Sequence, residues 1–331
     1  MKKPVVALAR SHDRKSTVRA AIHLVKNELY SAIKKKGKRT LFIKVNTVDH
    51  RKPEVGTQID ALRGVLDELH GGFKRVIIGD NSVSFTSKPP LHGYAALKKE
   101  YKGLEFSDLS EFPTKPLRVT GYHYSANVPV SRLPEKSFFI SLALPKTHGI
   151  FSFTGACKNV MGCVPSQPQR LMIHKLRGED RLWLHRLAKY NMLASDNLAR
   201  LINACKPDFG VLDAWYGLAG NYDNHLRVDM RCAIASTDPL AADSVAVRLA
   251  GLGEIPYLQR CEALGVGAWH LEDFFIATRG VHFSEGAMRF KPHANYKYQM
   301  LTDASKIIFP VNLHFLTRQI KNKARELVFR K

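Results

Sequence analysis

Short apolar runs alternate with longer amphipathic stretches along most of this chain, and that alternation predicts its elements. Residues 4–10 read as a strand, and Asp13 stands where a helix N-cap belongs, ahead of a helix that runs to Lys36 and stops at Gly37. A second strand over 40–45, a helix over 57–70 and a third strand over 74–79 follow. The segment 82–134 is richer in proline and turn residues, with a helix near 94–101 and short strands near 105–109 and 117–122. Beyond it lie a strongly apolar strand at 138–145, a long helical region at 179–204 interrupted at Ser195-Asp196, strands at 209–213 and 231–236, and a helix at 239–250. A last short strand is expected at 272–277, and a loop and a basic helix from 293 onward. Strand-helix-strand succession of this kind is the signature of an α/β fold with a mainly parallel sheet flanked by helices. The sheet is either single or divided between two α/β lobes, residues 1–130 and 131–290, ahead of a basic tail at 291–331.

Ligands of open parallel sheets bind beyond the carboxyl ends of the strands. Several polar residues fall at such ends: Lys44 and Asn46 after the second strand, Asp80 and Asn81 after the third, and Asp213 after a later one. The apolar strand at 138–145 ends abruptly at Lys146-Thr147-His148. Lys146 and His148 are two residues apart, so in extended chain their side chains share a side. Thr154, Lys158 and Asn159 then follow on what reads as a short helix begun by Gly155, with Lys158 one turn beyond Thr154. Two lysines and two hydroxyls near a helix N-terminus make a cradle for an anion, because free N–H groups and the helix dipole both favour negative charge.

Each of these residues also has an ordinary structural use. Asn46 and Asp80 are common loop-starting residues. Asp238-Pro239 is an N-cap followed by a first-turn proline. Asp243 differs, because its helix, PLAADSVAVRLAGL, is apolar on most faces and a carboxylate buried there requires a partner, for which Lys44, Lys146 or Lys158 are candidates.

The stretch from Leu142 to Pro165, with Lys146-Thr147-His148, then Thr154-Gly155-Ala156-Cys157-Lys158-Asn159 and Gly162, resembles the core pattern of the domain-of-unknown-function 362 family. Ile43-Lys44-Val45-Asn46 is similar to that family's Lys-Pro-Asn segment, with Val45 in place of the proline. Ile78-Gly79-Asp80-Asn81, Asp213 with Gly217, and Ala235-Ser236-Thr237-Asp238-Pro239 with Ala242-Asp243 look like its other motifs. The resemblance spans residues 41–267 and implies a fold and a site more than a reaction. Some relatives carry appended ferredoxin-type clusters. The closely spaced cysteine run such a cluster needs is absent from this sequence, so an integral iron–sulfur cluster is not expected.

The five cysteines, at 157, 163, 205, 232 and 261, form no CxxC pair, which disfavours a disulfide framework or a cysteine zinc site. Cys157 and Cys163 read as small packing residues. Asp80, Asp213, Asp243, His148 and His174 suit a divalent metal by type, although their spacing matches no local metal motif. No G-x-G-x-x-G follows the first strand, and no phosphate-loop motif occurs.

The net charge is +22, and residues 1–40 and 311–331 hold 15 of it, as +10 and +5. Nucleic acid, an anionic membrane surface or acidic small molecules are compatible partners for such termini, while a basic helix simply packed on the body is the plainer alternative. No membrane span or signal peptide is read, so a cytoplasmic address is expected.

The functional expectation is binding or transformation of a small carboxylate- or phosphate-bearing metabolite. Lys146 and Lys158 would neutralise the anion and His148 would move protons, since its ordinary pKa lies nearest neutrality. Asp213 completes the catalytic candidates, and Lys44, Asn46, Asp80, Thr147, Thr154, Asn159 and Asp243 the ligand-binding ones. An iron–sulfur-associated redox protein and a nucleic-acid-binding protein are the alternatives.

Overall fold

The computed structural model describes residues 3–48, 52–81, 93–121, 124–174, 184–221 and 224–290. The basic helix expected beyond 293 lies outside them. In chain order the strands are β1 (Val5–Ala9), β2 (Thr40–Lys44), β3 (Arg75–Asp80), β4 (Leu104–Asp108), β5 (Thr114–Thr120), β6 (Ser125–Ser131) and β7 (Phe138–Ala143). They continue as β8 (Lys146–His148), β9 (Ser152–Thr154), β10 (Phe209–Leu212), β11 (Tyr216–Asn221), β12 (Asn224–Asp229), β13 (Ala233–Ser236) and β14 (Phe275–Arg279).

The chain is α/β, built on an eight-stranded sheet in the order β14-β1-β13-β10-β7-β2-β3-β4. All neighbours pair in parallel except at β13, which runs against both β1 and β10. The sheet draws strands from both the 1–130 and the 131–290 segments. Both faces are covered, as mainly parallel sheets require. Ala7, Leu41, Ile43, Ile78 and Ile140 pack beneath α1 (Arg14–Leu24), α2 (Lys26–Lys36) and α3 (Ile59–Leu69). Val6, Phe42, Ile77 and Phe139 pack on the opposite face, against the segment 156–164 and the helices Leu184–Ala204 and Pro239–Leu249. Residues one apart along a strand thus serve different layers, the period-two rule at work.

Most predicted elements are found, with informative departures. Asp13 caps α1 by accepting from Ser16 N at 2.7 Å, but the single helix expected to reach Lys36 breaks at Val25, whose ψ of 24° leaves the helical range. Gly37 ends α2 in the left-handed conformation, φ 63°. The helix Leu184–Ala204 continues through Ser195-Asp196 without interruption. Asp238 accepts from Leu240 N and Ala241 N, with Pro239 at the first helical position, as expected of a cap.

Lys146-Thr147-His148 is not the end of β7 but a separate strand. Pro145 has no N–H to continue the ladder, so β7 stops at Ala143 and the chain steps into a second, four-stranded sheet of order β12-β11-β8-β9. Pro145 O accepts from Leu218 N at 3.0 Å, which seats β8 beside β11. A third, two-stranded sheet pairs β5 with β6.

The topology creates one particular place. From β2 the chain builds outward through β3 and β4, while from β7 it builds the other way through β10 and β13. The order therefore reverses between the adjacent strands β2 and β7. In open α/β sheets the crevice at that reversal, beyond the carboxyl ends, is where ligands bind. Lys44 ends β2 and Lys146 follows β7, so the two flank it.

Candidate functional site

Two kinds of polar group meet at the reversal: a set that is fully engaged and a set that is not. Lys44 belongs to the first. Only 1% exposed, its ammonium donates to Asp80 Oδ1 at 2.6 Å, Val45 O at 2.6 Å and Asn159 Oδ1 at 3.3 Å, which uses all three protons. Asp80 Oδ2 accepts from Thr47 N at 2.7 Å and Thr47 Oγ1 at 2.8 Å, and Oδ1 from Asn81 N at 2.7 Å. Burial pushes the Asp80 carboxyl up, but the Lys44 charge and these donors outweigh it and hold it below the ordinary range. Asn159 donates to Lys44 O at 3.0 Å on β2 and to Ser141 Oγ at 3.1 Å on β7, bracing the strands on either side of the reversal. Gly162 is required there, since a Cβ would lie 2.4 Å from Asp80 Oδ1 and 2.6 Å from Lys44 Nζ.

Asp243 is engaged too, but not by a lysine. Its Oδ1 accepts from Ala156 N at 2.7 Å and its Oδ2 from Cys157 N at 2.9 Å. Backbone amides of the turn after β9 thus stand in for the expected partners Lys44, Lys146 or Lys158. With the residue 0% exposed, burial pushes its carboxyl up to about 7 despite those donors. An acid whose folded pKa lies above its ordinary 3.8 binds its proton more tightly when folded. Its stabilising contribution is full below about 3.8 and is lost as pH rises through about 7. Between pH 4 and 7 the wild-type chain should therefore lose stability relative to Asp243→Asn, by up to about 1.4 kcal/mol per pH unit. Urea unfolding of both proteins across that range measures the difference, and parallel curves would refute the assignment.

Asp213 directly follows β10, on the far side of β7. Its Oδ1 lies 3.2 Å from Arg14 Nε and accepts from Trp215 N at 3.3 Å, while Oδ2 has no hydrogen-bond partner among the described residues. Burial raises its carboxyl to about 6, opposed by Arg14. The Arg14 guanidinium sits 4.8 Å from the Tyr216 ring centre. Arg14 lies on α1, far from Asp213 in sequence, and no spacing points to it.

Lys146, Thr154 and Lys158 form the less engaged set, with His148 beside them. Lys146 pairs with Thr154 across β8–β9, and His148 with Ser152, so these four residues occupy one face of the small sheet. Thr154 belongs to β9, and the short helix expected from Gly155 is a 3₁₀ turn over Lys158–Cys163, so the predicted one-turn relation between Thr154 and Lys158 does not occur. The departure is local: Ser152 takes φ 61°, turning the chain back into β9.

Half-buried Lys146 donates to Val55 O at 3.0 Å, with Asn46 Oδ1 at 3.5 Å, and meets no carboxylate at that range among the described residues. Burial lowers its pKa to about 8; Asp80 opposes the shift and Lys44 adds to it. Lys158, 8% exposed, has no hydrogen-bond or ion-pair partner among the described residues; its ammonium stands 5.4 Å from the Phe151 ring centre. Burial and then the Lys146 charge lower its pKa to about 7. Thr154 Oγ1, in a residue 3% exposed, also lacks a partner among the described residues. Thr147 faces the other way and donates to Gly220 O at 2.9 Å, a structural bond that ties β8 to the small sheet. His148 Nδ1 accepts from Ile150 N at 3.1 Å and Phe151 N at 3.3 Å, which leaves the neutral ring's proton on Nε2.

Of the residues considered for metal binding, Asp80 and Asp243 spend their oxygens on the donors named above. Among the described residues no three His, Cys, Asp or Glu side chains are grouped as a metal site. His174 ends the helix Gln167–His174. The five cysteines are buried free thiols. No described helix is long and apolar enough to cross a membrane.

Fold and site together define an α/β protein with a lysine-rich centre at the sheet's topological reversal. The chain belongs to the DUF362 family, a domain of unknown function, whose model matches residues 41–248. That span runs from β2 into the helix Pro239–Leu249 and so contains every candidate residue from Lys44 to Asp243, but not Arg14. No curated protein matches the chain.

Proposed function

We propose that this protein binds a small carboxylate- or phosphate-bearing metabolite at Lys146, Lys158, Thr154 and His148. The observation that carries this reading is Lys158: a lysine only 8% exposed whose ammonium has no anionic or hydrogen-bonding partner among the described residues. Burying an unpaired charge is costly, and an arrangement that keeps one is explained by a ligand that completes it. Thr154 Oγ1, equally unpartnered, offers the same ligand a hydroxyl. Lys44, Asp80, Asn159 and Asp243 are the frame that holds these groups in place. The five buried free thiols support a cytoplasmic setting, where thiols are kept reduced.

Thermal unfolding against a panel of carboxylates and phosphates tests the reading. A ligand of the folded state present at a hundred times its Kd stabilises by about 2.7 kcal/mol. Lys158→Met should raise the stability of the ligand-free protein by about 1–3 kcal/mol, since an unpaired buried charge is replaced by an apolar chain of similar length. The same variant should lose the ligand-induced shift. A shift retained in both Lys158→Met and Lys146→Ala would overturn the proposal.

A further inference from the structure

We infer that Lys158 is a covalent lysine, whose amine condenses with the carbonyl carbon of a small 2-oxo carboxylate to form an imine. This rests on the anion-binding reading and adds to it a substrate class and a bond. The two buried lysines of the centre set up the contrast. Lys44 has all three protons committed to Asp80, Val45 O and Asn159, so its nitrogen is fully engaged by the frame. Lys158 has nothing among the described residues holding its protons, stands over the Phe151 ring and lies close enough to Lys146 to feel its charge. Desolvation and a neighbouring cation are the two devices that free a lysine amine for nucleophilic attack near neutral pH. The depressed pKa of Lys158 agrees with this geometry.

The surrounding groups fit the remaining parts of such a substrate. Lys146, whose ammonium meets no carboxylate among the described residues, matches the substrate carboxylate. Thr154, directly across from Lys146 in the β8–β9 pair, brings an unpartnered hydroxyl to the same face, suited to the carbonyl oxygen. In the step itself the Lys158 lone pair forms a C–N bond while the C=O π pair moves onto oxygen, which takes up one of the protons that the attacking nitrogen releases. The carbinolamine then loses that oxygen as water when the C–O bond breaks, giving the iminium. One water leaves and no electrons are exchanged with any third party. His148 bears its ring proton on Nε2, on the face shared with Lys146 and Thr154, and hydrogen-bonds the departing oxygen, while a hydronium ion from solvent supplies the proton that oxygen needs to leave as water.

The test uses the full chain with pyruvate as the probe, borohydride to reduce any imine, and intact mass followed by peptide mapping. The expected result is one reduced pyruvate per chain, located on Lys158, and absent from Lys158→Met that melts as a folded protein. Lys146→Met should lower the labelling rate roughly tenfold, because a charge-assisted contact to the carboxylate is lost. Lactate, which has the carboxylate but no carbonyl, should stabilise the protein and slow the labelling. Adduct scattered over exposed lysines and unchanged in Lys158→Met overturns the inference. Stabilisation by both pyruvate and lactate without any adduct overturns the imine alone and leaves anion binding standing. Neither stabilisation nor adduct with pyruvate overturns the inference, and the metabolite panel then decides the broader reading separately.

Discussion

Asp80→Asn is expected to destabilise the folded chain by about 3–5 kcal/mol, a large part of the stability of an ordinary domain. The substitution is nearly isosteric, so no cavity forms. What it removes is the charge opposite Lys44, an ammonium 1% exposed and 2.6 Å from Asp80 Oδ1. Val45 O and Asn159 Oδ1 still accept from Lys44, but neutral acceptors do not offset a buried full charge. Lys44→Met should be comparably harmful, because it strands the carboxylate instead. Lys44→Met combined with Asp80→Asn should cost less than the sum of the two, since no unpaired ion remains. Urea midpoints for the three variants measure this directly. A loss under about 1 kcal/mol for Asp80→Asn, the range of exposed ion pairs, would mean that solvent reaches the pair.

This pair also shows what a sequence can and cannot disclose about the site. Strand ends are legible because apolar runs stop at them, and so the sequence alone places Lys44, Asp80 and Asp213 on one edge of the sheet. Which partner each takes is not legible, because partners come from elements remote in sequence. Asp213 meets Arg14 of α1, and Asp243 meets two backbone amides that no pattern of side chains could announce. The hairpin β11–β12 is hidden for a different reason. Its alternation is interrupted by Gly217 and Gly220, and Gly220 takes a left-handed φ of 86° within β11. The segment after Lys146 is misleading on similar grounds. Thr154 and Gly155 look like a helix start, but the positive φ at Ser152 turns the chain into a strand first, and the following turn is held by Asp243 rather than by its own cap. The two lysines that matter most to the proposal stand out in the sequence, while the absence of an anionic partner for either among the described residues is visible only in three dimensions.

Gly155→Ala should be as harmful as losing Asp80, and it acts through Asp243. A Cβ at position 155 would stand 2.2 Å from Asp243 Oδ1, 2.7 Å from its Cγ and 2.7 Å from Phe153 Cε1. Retreat is closed to the carboxylate, because the helix Pro239–Leu249 is buried along nearly its whole length and Asp243 is 0% exposed. If it moves, Ala156 N and Cys157 N lose their acceptors, and buried unmet donors cost about 1–3 kcal/mol each, on top of a similar overpacking penalty. A loss of more than about 3 kcal/mol is therefore expected from one added methyl group. Asp243→Ala removes the closest of these clashes but orphans the same two amides and leaves the Phe153 contact, so the double variant Gly155→Ala/Asp243→Ala should cost clearly less than the sum of the two single variants. That strong non-additivity, read from urea unfolding, separates a steric clash from a mere change in backbone freedom, which would add independently. Any Gly155→Ala protein that remains folded carries a shifted 155–159 turn and with it a displaced Lys158. It should consequently lose the ligand-induced stabilisation and the pyruvate adduct even though every candidate ligand-binding side chain is still present.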